Sequence, residues 1–305
     1  MSALIRRSLY VLALGVFAAS AISFVASAQA PKPYPPGSSP QAANPDPNTP
    51  RTLAALDSVF IDELTWLEVR DAVKAGKKTV IIAASGIEQS GPYLAVGKHT
   101  YIVRATSEAI ARKLGDCLVA PIITLVPEGN FDPPSGMARY PGTVGVQVDT
   151  FKREIADVAT AMRASGFERI ALIGDHGADT DPMKAVAAEL TAKWTDGKTK
   201  IQYIAEYYDY PGLSKWAADN LGIKEDDEGL HDNYVITAMM MAVDPTTVRT
   251  KQRIEKDKFV INTVPLAPAE KTIANGRKII DHVATITSEA IRRTFGQANP
   301  TETVK

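Results

Sequence analysis

The stretch RIALIGDHGADTDP, Arg169 to Pro182, decides the architecture. Ile170 to Ile173 form a continuous apolar run, as expected of a strand buried on both faces. Gly174 closes the run, a polar turn follows, and Pro182 is well placed to open a helix. A second run, TVIIAA at Thr79 to Ala84, has the same character. Leu118 to Val126 (LVAPIITLV) reads as another strand, with Pro121 counting against full pairing. Lys200 to Glu206 reads as a further one. Helical spacing of apolar residues lies between them. It runs from Thr100 to Leu114 before Gly115, from a cap at Asp149 or Thr150 to near Gly166, and from Ile273 to Thr294. Strands alternating with helices of this length predict an α/β fold, with a mostly parallel central sheet flanked by helices on both faces.

The ends of the chain read differently. Arg6 and Arg7 precede the apolar run LYVLALGVFAASAISFVA, and Ala28-Gln29-Ala30 supplies the small residues of a cleavage site. Residues 1–30 are therefore expected to be a signal peptide, with the protein periplasmic or secreted and no stable membrane span after cleavage. The proline-dense residues 31–52 are expected to be an extended linker. Residues 53–297 are expected to form a single α/β domain, with 298–305 a C-terminal tail. Net charge is −1 with acids and bases interspersed, so nothing points to nucleic acid. Cys117 is the only cysteine, so no internal disulfide forms, and its place in a strand reads as core.

Ligands of open α/β sheets gather beyond the carboxyl ends of the strands. Two loops leave such ends: GIEQSGPYLAVGKHT, Gly86 to Thr100, and GDHGADTDP, Gly174 to Pro182. With EGLHDNY, Glu228 to Tyr234, they hold three of the four histidines together with Glu88, Asp175, Asp179 and Asp181. Imidazole and carboxylate ligands suit zinc, manganese or iron. A lone loop histidine is more often merely solvated; three on separate loops make a metal site as good a reading as the bland one. Ser90 as a nucleophile is the weaker reading, because its surroundings are not a glycine-x-serine-x-glycine elbow. The residues around Asp132 to Gly136 have the look of a lid or of a plain connection. The aromatic group in EYYDY, Glu206 to Tyr210, leans to core over pocket lining.

These segments resemble the creatininase family of metal-dependent amidohydrolases. The family's Glu-x-His-Gly-Pro-His-Leu-Pro, closing on Thr-Asp, appears as Glu88-Gln89-Ser90-Gly91-Pro92-Tyr93-Leu94, closing on Lys98-His99. Its Phe-Pro-Gly-Thr matches Tyr140-Pro141-Gly142-Thr143. Its Asn-Gly-His-Gly-Gly-Asn matches Gly174 to Asp179, which keeps the histidine at His176. Its late histidine segment aligns His231, with Pro245 fourteen residues on. The resemblance runs from Thr65 to Val248 and implies the three-layer creatininase fold and a homo-oligomer, a hexamer in many members.

What the resemblance implies for the site is an altered metal centre. One family ion would be held by Glu88, His99 and His176. The ligands of the second ion fall on Ser90, His99 and Ala178, so that site is expected to be dismantled. The expectation is one divalent metal per chain, zinc first and manganese or iron as alternatives. His231 is expected to be the general acid/base, with Asp175 assisting catalysis by orienting His176 or adding a ligand. Ser90, Tyr93, Asp179, Tyr140 and Asp232 are expected around the ion or the substrate. The expected activity is water attack on an amide C–N bond of a small cyclic or linear molecule. A lactone or ester hydrolase on the same site, or a non-catalytic small-ligand-binding relative, is the alternative.

Overall fold

The computed structural model describes residues 45–297. The expected signal peptide, most of the expected linker and the expected tail lie outside the described residues. Residues 50–297 form one compact unit.

Local sequence explains the elements in order. Helix α1 (Trp66–Lys74) starts with a capping box, in which Thr65 and Glu68 satisfy each other's backbone N–H groups. Strand β1 (Thr79–Ala84) is buried along its whole length, as its unbroken apolar run requires. Helix α2 (Lys98–Leu114) ends at Gly115, and strand β2 (Cys117–Val119) is short. The expected strand over Leu118 to Val126 is thus cut down. Pro121 lacks a backbone N–H to continue the ladder, and pairing resumes only as an isolated bridge of Ile123 to Ala84. Helix α3 (Val148–Ala164) leads to strand β3 (Arg169–Gly174), which coincides with the RIALIG run. Helix α4 (Thr180–Lys193), strand β4 (Lys200–Tyr203) and helix α5 (Tyr210–Leu221) follow. Helix α6 (Tyr234–Val243) is apolar on every side and is buried from Tyr234 to Met241, as such a sequence must be. Helix α7 (Thr250–Glu255), strands β5 (Val260–Ile261) and β6 (Val264–Pro265) and helix α8 (Ala269–Phe295) complete the chain.

Among the described residues, β1 to β4 form a parallel sheet in the order β2-β1-β3-β4. Alternate side chains of each strand enter different cores. Ile81, Ala83, Ala171 and Ile173 face the layer of α2, α5, α6 and α8. Val80, Ile82, Ile170 and Leu172 face the layer of α1, α3 and α4. The chain leaves β1 toward β2 with α2 on one face, then crosses to β3 with α3 on the other. The carboxyl ends of β1 and β3 are therefore where the topology switches direction and opens a crevice. Ala84 pairs with Gly174 at that edge, so the two histidine-bearing loops leave the sheet side by side. No helix among the described residues is long and apolar enough to cross a membrane.

Candidate metal centre and its cavity

Three side chains converge at the end of β1. Nε2 of His176 lies 3.3 Å from Oε2 of Glu88 and 3.3 Å from Oε2 of Glu128. Glu88 comes from the loop after β1 and His176 from the loop after β3. Glu128 comes from the segment that runs past β2 beside Ala84. Both carboxylates are buried, at 0% and 3% residue exposure. Two glycines make room for Glu128. Gly86 has φ +123°, and a side chain there would meet Glu128 Oε1 at 3.2 Å; at Gly145 a Cβ would stand 2.8 Å from Glu128 Cγ.

Neither oxygen of Glu128 receives a hydrogen bond. Its burial raises its pKa, an effect His176 opposes and the Glu88 charge adds to. Burial also works against a charged His176, but the carboxylates of Asp179, Glu128 and Glu88 overcome it and push the imidazole up to about 12. For Glu88, burial favours the neutral acid, yet bonds from His176 and His99 and the charge of Lys98 hold it well below the usual range.

This arrangement fits a divalent cation. Bond lengths of about 2.1 Å around a tetrahedral ion place neighbouring ligand atoms about 3.4 Å apart. The two His176–carboxylate separations have that spacing, and all three donor atoms lie within 4.8 Å of one another. Two buried carboxylates with one unsatisfied oxygen pair among them are the groups an ion would neutralise.

His99 stands apart from that trio. Its Nε2 is 2.8 Å from Glu88 Oε1 and its Nδ1 is 2.8 Å from Asp175 Oδ2. Carboxylates accept, so both ring nitrogens donate and the ring is an imidazolium. Burial disfavours that charge, but Asp175 and Glu88 outweigh it and raise the pKa. His99 is therefore arranged as a buried cation bridging two acids. Asp175 in turn accepts from the Tyr210 hydroxyl at 2.9 Å, so it supports His99 rather than His176. Nδ1 of His176 accepts from the Ala178 N–H at 3.3 Å, and the Asp179 carboxylate lies 3.8 Å from the same nitrogen, wholly buried and pushed up to about 6 by that burial.

His231 sits in the left-handed backbone region, at φ +66°. Its Nδ1 is 3.0 Å from the Gln89 carbonyl, which only accepts, so Nδ1 carries the proton and Nε2 keeps its lone pair. That nitrogen lies 3.7 Å from Glu88 Oε1. Burial first, then the nearby charge of Lys98, lowers its pKa and keeps the ring neutral. Lys98 is nearly inaccessible, at 1% exposure, with Nζ 3.5 Å from Glu88 Oε1 and 3.3 Å from the His231 carbonyl. Its burial lowers its pKa, and Glu88, Asp175 and Asp232 pull it back up.

Lys98, His99, His231 and Asp232 line one cavity of about 610 Å³, rimmed by Met137 and Tyr140 and walled by Tyr208 and Tyr210. The EYYDY group thus divides: Tyr207 is core, as expected, while Tyr208 and Tyr210 face this space. Of the remaining expected residues, Ser90 is buried and donates to the Glu88 carbonyl at 3.4 Å. Tyr93 packs under the Arg253 guanidinium, 4.6 Å from its ring centre. The Asp232 carboxylate is buried beside Gly91, its Oδ1 without a partner.

Two functional candidates escaped the sequence reading. Glu128 follows the LVAPIITLV run in a Pro-Glu-Gly setting, the same signal of an acid among turn residues at a strand end that singled out Glu88. Lys98 carried no signal, because a lysine beside a helix start is ordinarily solvated.

Fold and site together define an α/β protein with a carboxylate–imidazole centre at the switch point of a parallel sheet. A model of the creatinine amidohydrolase (creatininase) family matches residues 62–291, and the chain belongs to that family. Creatinine amidohydrolase from Pseudomonas putida is 25% identical over 119 residues, covering 39% of this chain and 45% of that protein. The matched region thus spans less than half the length of that curated relative. A solved creatinine amidohydrolase (creatininase) superposes with a TM-score of 0.57 at 19% identity, covering 80% of this chain and 100% of its own. A structure of creatininase with Mn gives 0.56 at 20% identity, covering 78% and 99%. The expected three-layer fold is thereby established.

Proposed function

We propose that this protein is an exported, metal-dependent amidohydrolase that cleaves a C–N bond of a small cyclic or linear amide. The observation that carries the reading is the convergence of Glu88, Glu128 and His176, with His231 3.7 Å from Glu88 and itself lining a cavity of small-molecule size. Family membership supports amide hydrolysis, and the export element rests on the sequence pattern of residues 1–30.

Glu88, Glu128 and His176 would hold the ion. When bound, a divalent cation would supply an acidified water. The trio has two carboxylates to one imidazole and is harder than a Glu–His–His set, which favours manganese or iron alongside zinc. His99 and Asp175 hold Glu88 in place from behind, while the Ala178 N–H fixes Nδ1 of His176 with the Asp179 carboxylate 3.8 Å away. The free Nε2 of His231 accepts a proton from the attacking water and returns it to the leaving nitrogen. An ester or lactone would follow the same proton path, with oxygen as the leaving atom.

The test is metal content together with a panel of small amides and lactones. About one ion per chain is expected, with loss in Glu128→Ala and His176→Ala. A His231→Ala protein that keeps its ion should lose turnover. A metal-loaded wild type that turns over nothing in the panel would favour small-ligand binding instead.

A further inference from the structure

The Glu88 carboxylate has two differently occupied edges. Oε2 belongs to the His176–Glu128 trio, while Oε1 faces Lys98, His99 and His231. Lys98 is the unusual member of that second group. Its ammonium carries three N–H donors, and two acceptors stand near it, Glu88 Oε1 at 3.5 Å and the His231 carbonyl at 3.3 Å. Charge-assisted bonds close to about 2.7–2.9 Å, so the ammonium is locked onto neither. A buried cation is costly unless its hydrogen bonds are made. Lys98 is among the residues lining the cavity, and its two near acceptors account for two of its three donors.

From this geometry we infer that Lys98 is the oxyanion-binding group of the cavity, the fixed cation that receives the substrate's carbonyl oxygen. The inference rests on the hydrolase reading for its catalytic meaning. Lys98 Nζ and His231 Nε2 both adjoin Glu88 Oε1, so a carbonyl seated at that edge has the ammonium at its oxygen and the imidazole at its leaving atom. Water oxygen bonds to the carbonyl carbon, and the C=O π pair moves onto oxygen, which accepts a Lys98 N–H. The water proton passes to His231. The oxygen pair then re-forms C=O, the C–N bond breaks, and the nitrogen takes the proton from His231. The products are an amine and a carboxylic acid, whose remaining proton goes to solvent. The carboxylate left behind is a second anion suited to Lys98. The rival role is charge balance alone, with Lys98 serving only to neutralise Glu88.

Acetate is a suitable probe, since it is a minimal carboxylate product. Zinc-loaded wild type and Lys98→Met would be titrated with acetate by calorimetry and assayed on whichever amide or lactone the wild type hydrolyses. The variant should keep wild-type zinc stoichiometry and bind acetate more than about tenfold more weakly. It should lose about 10²–10³ in kcat with little change in KM. Acetate affinity and turnover both within twofold of wild type would overturn the inference. So would loss of zinc together with acetate binding, which would make Lys98 a support of the metal centre. If wild type binds acetate through Lys98 yet hydrolyses nothing, the anion site stands and the hydrolase reading falls. Crystals of wild type grown with zinc and acetate avoid dependence on the variant's folding. An acetate oxygen within about 3.2 Å of Lys98 Nζ is expected, and acetate seated away from Nζ would overturn the assignment.

Discussion

Nε2 of His99 lies 2.8 Å from Oε1 of Glu88, on the edge of the carboxylate away from His176. With Nδ1 bound to Asp175, this histidine is a cationic clamp between two acids, although the family resemblance implies a ligand position for it. Removing one partner from a buried ion pair costs about 3–5 kcal/mol. His99→Ala is expected to lower stability by that amount in chemical denaturation, while the folded fraction still binds one ion at Glu88, Glu128 and His176. A stable variant that no longer binds metal would return His99 to the ligand set.

Glu128 should act chiefly on the ion. Its Oε2 faces His176 Nε2 at 3.3 Å, yet neither of its oxygens accepts a hydrogen bond. The isosteric Glu128→Gln removes that opposing charge, and metal-free stability is expected to fall by less than the about 3–5 kcal/mol of a fully broken buried pair. Metal affinity is expected to fall by at least tenfold, and paired denaturation and metal-titration curves separate the two effects. A large loss of metal-free stability with unchanged affinity would make Glu128 a structural acid.

Proton displacement sets the pH dependence of loading. The His176 imidazole is pushed up to about 12, so at neutral pH an ion must expel its proton. Affinity should climb about tenfold per pH unit for each proton released, measured by competition with a chelator between pH 6 and 8. Calorimetry in buffers of differing ionisation enthalpy should show proton release. In the metal-free protein the same imidazolium has a raised pKa. Its stabilisation is complete below the ordinary histidine value and is lost only as pH rises toward about 12. A pH-independent affinity would mean that His176 is not a ligand.

Gly145 tests the packing that admits Glu128. A Cβ there would stand 2.4 Å from the Val126 carbonyl oxygen and 2.8 Å from Glu128 Cγ. Gly145→Ala is expected to cost about 1–3 kcal/mol and to weaken metal binding by displacing Glu128. Unchanged metal affinity would show that the carboxylate tolerates the shift.

The sheet was legible because its two central strands carry unbroken apolar runs. TVIIAA and RIALIG coincide with β1 and β3, and their neighbouring ends place the loops of Glu88 and His176 together. β2 was overread because an apolar run shows hydrophobicity but not the N–H that Pro121 withholds. Within the site, sequence proposed ligands by residue type. It could not tell which edge of Glu88 each histidine occupies, so His99 and His176 looked alike. Glu128 was hidden by distance along the chain, since only the bridge of Ile123 to Ala84 brings its segment beside β1. Lys98 was hidden because burial of its ammonium depends on the loop carrying His231 folding over it.

The central claim is that Glu88, Glu128 and His176 form one metal centre. Anomalous diffraction from crystals of the wild-type protein grown with manganese or zinc tests it most directly. A single peak is predicted, within about 2.2 Å of Glu88 Oε2, Glu128 Oε2 and His176 Nε2. A peak coordinated by His99 in place of Glu128, or two peaks per chain, would contradict it.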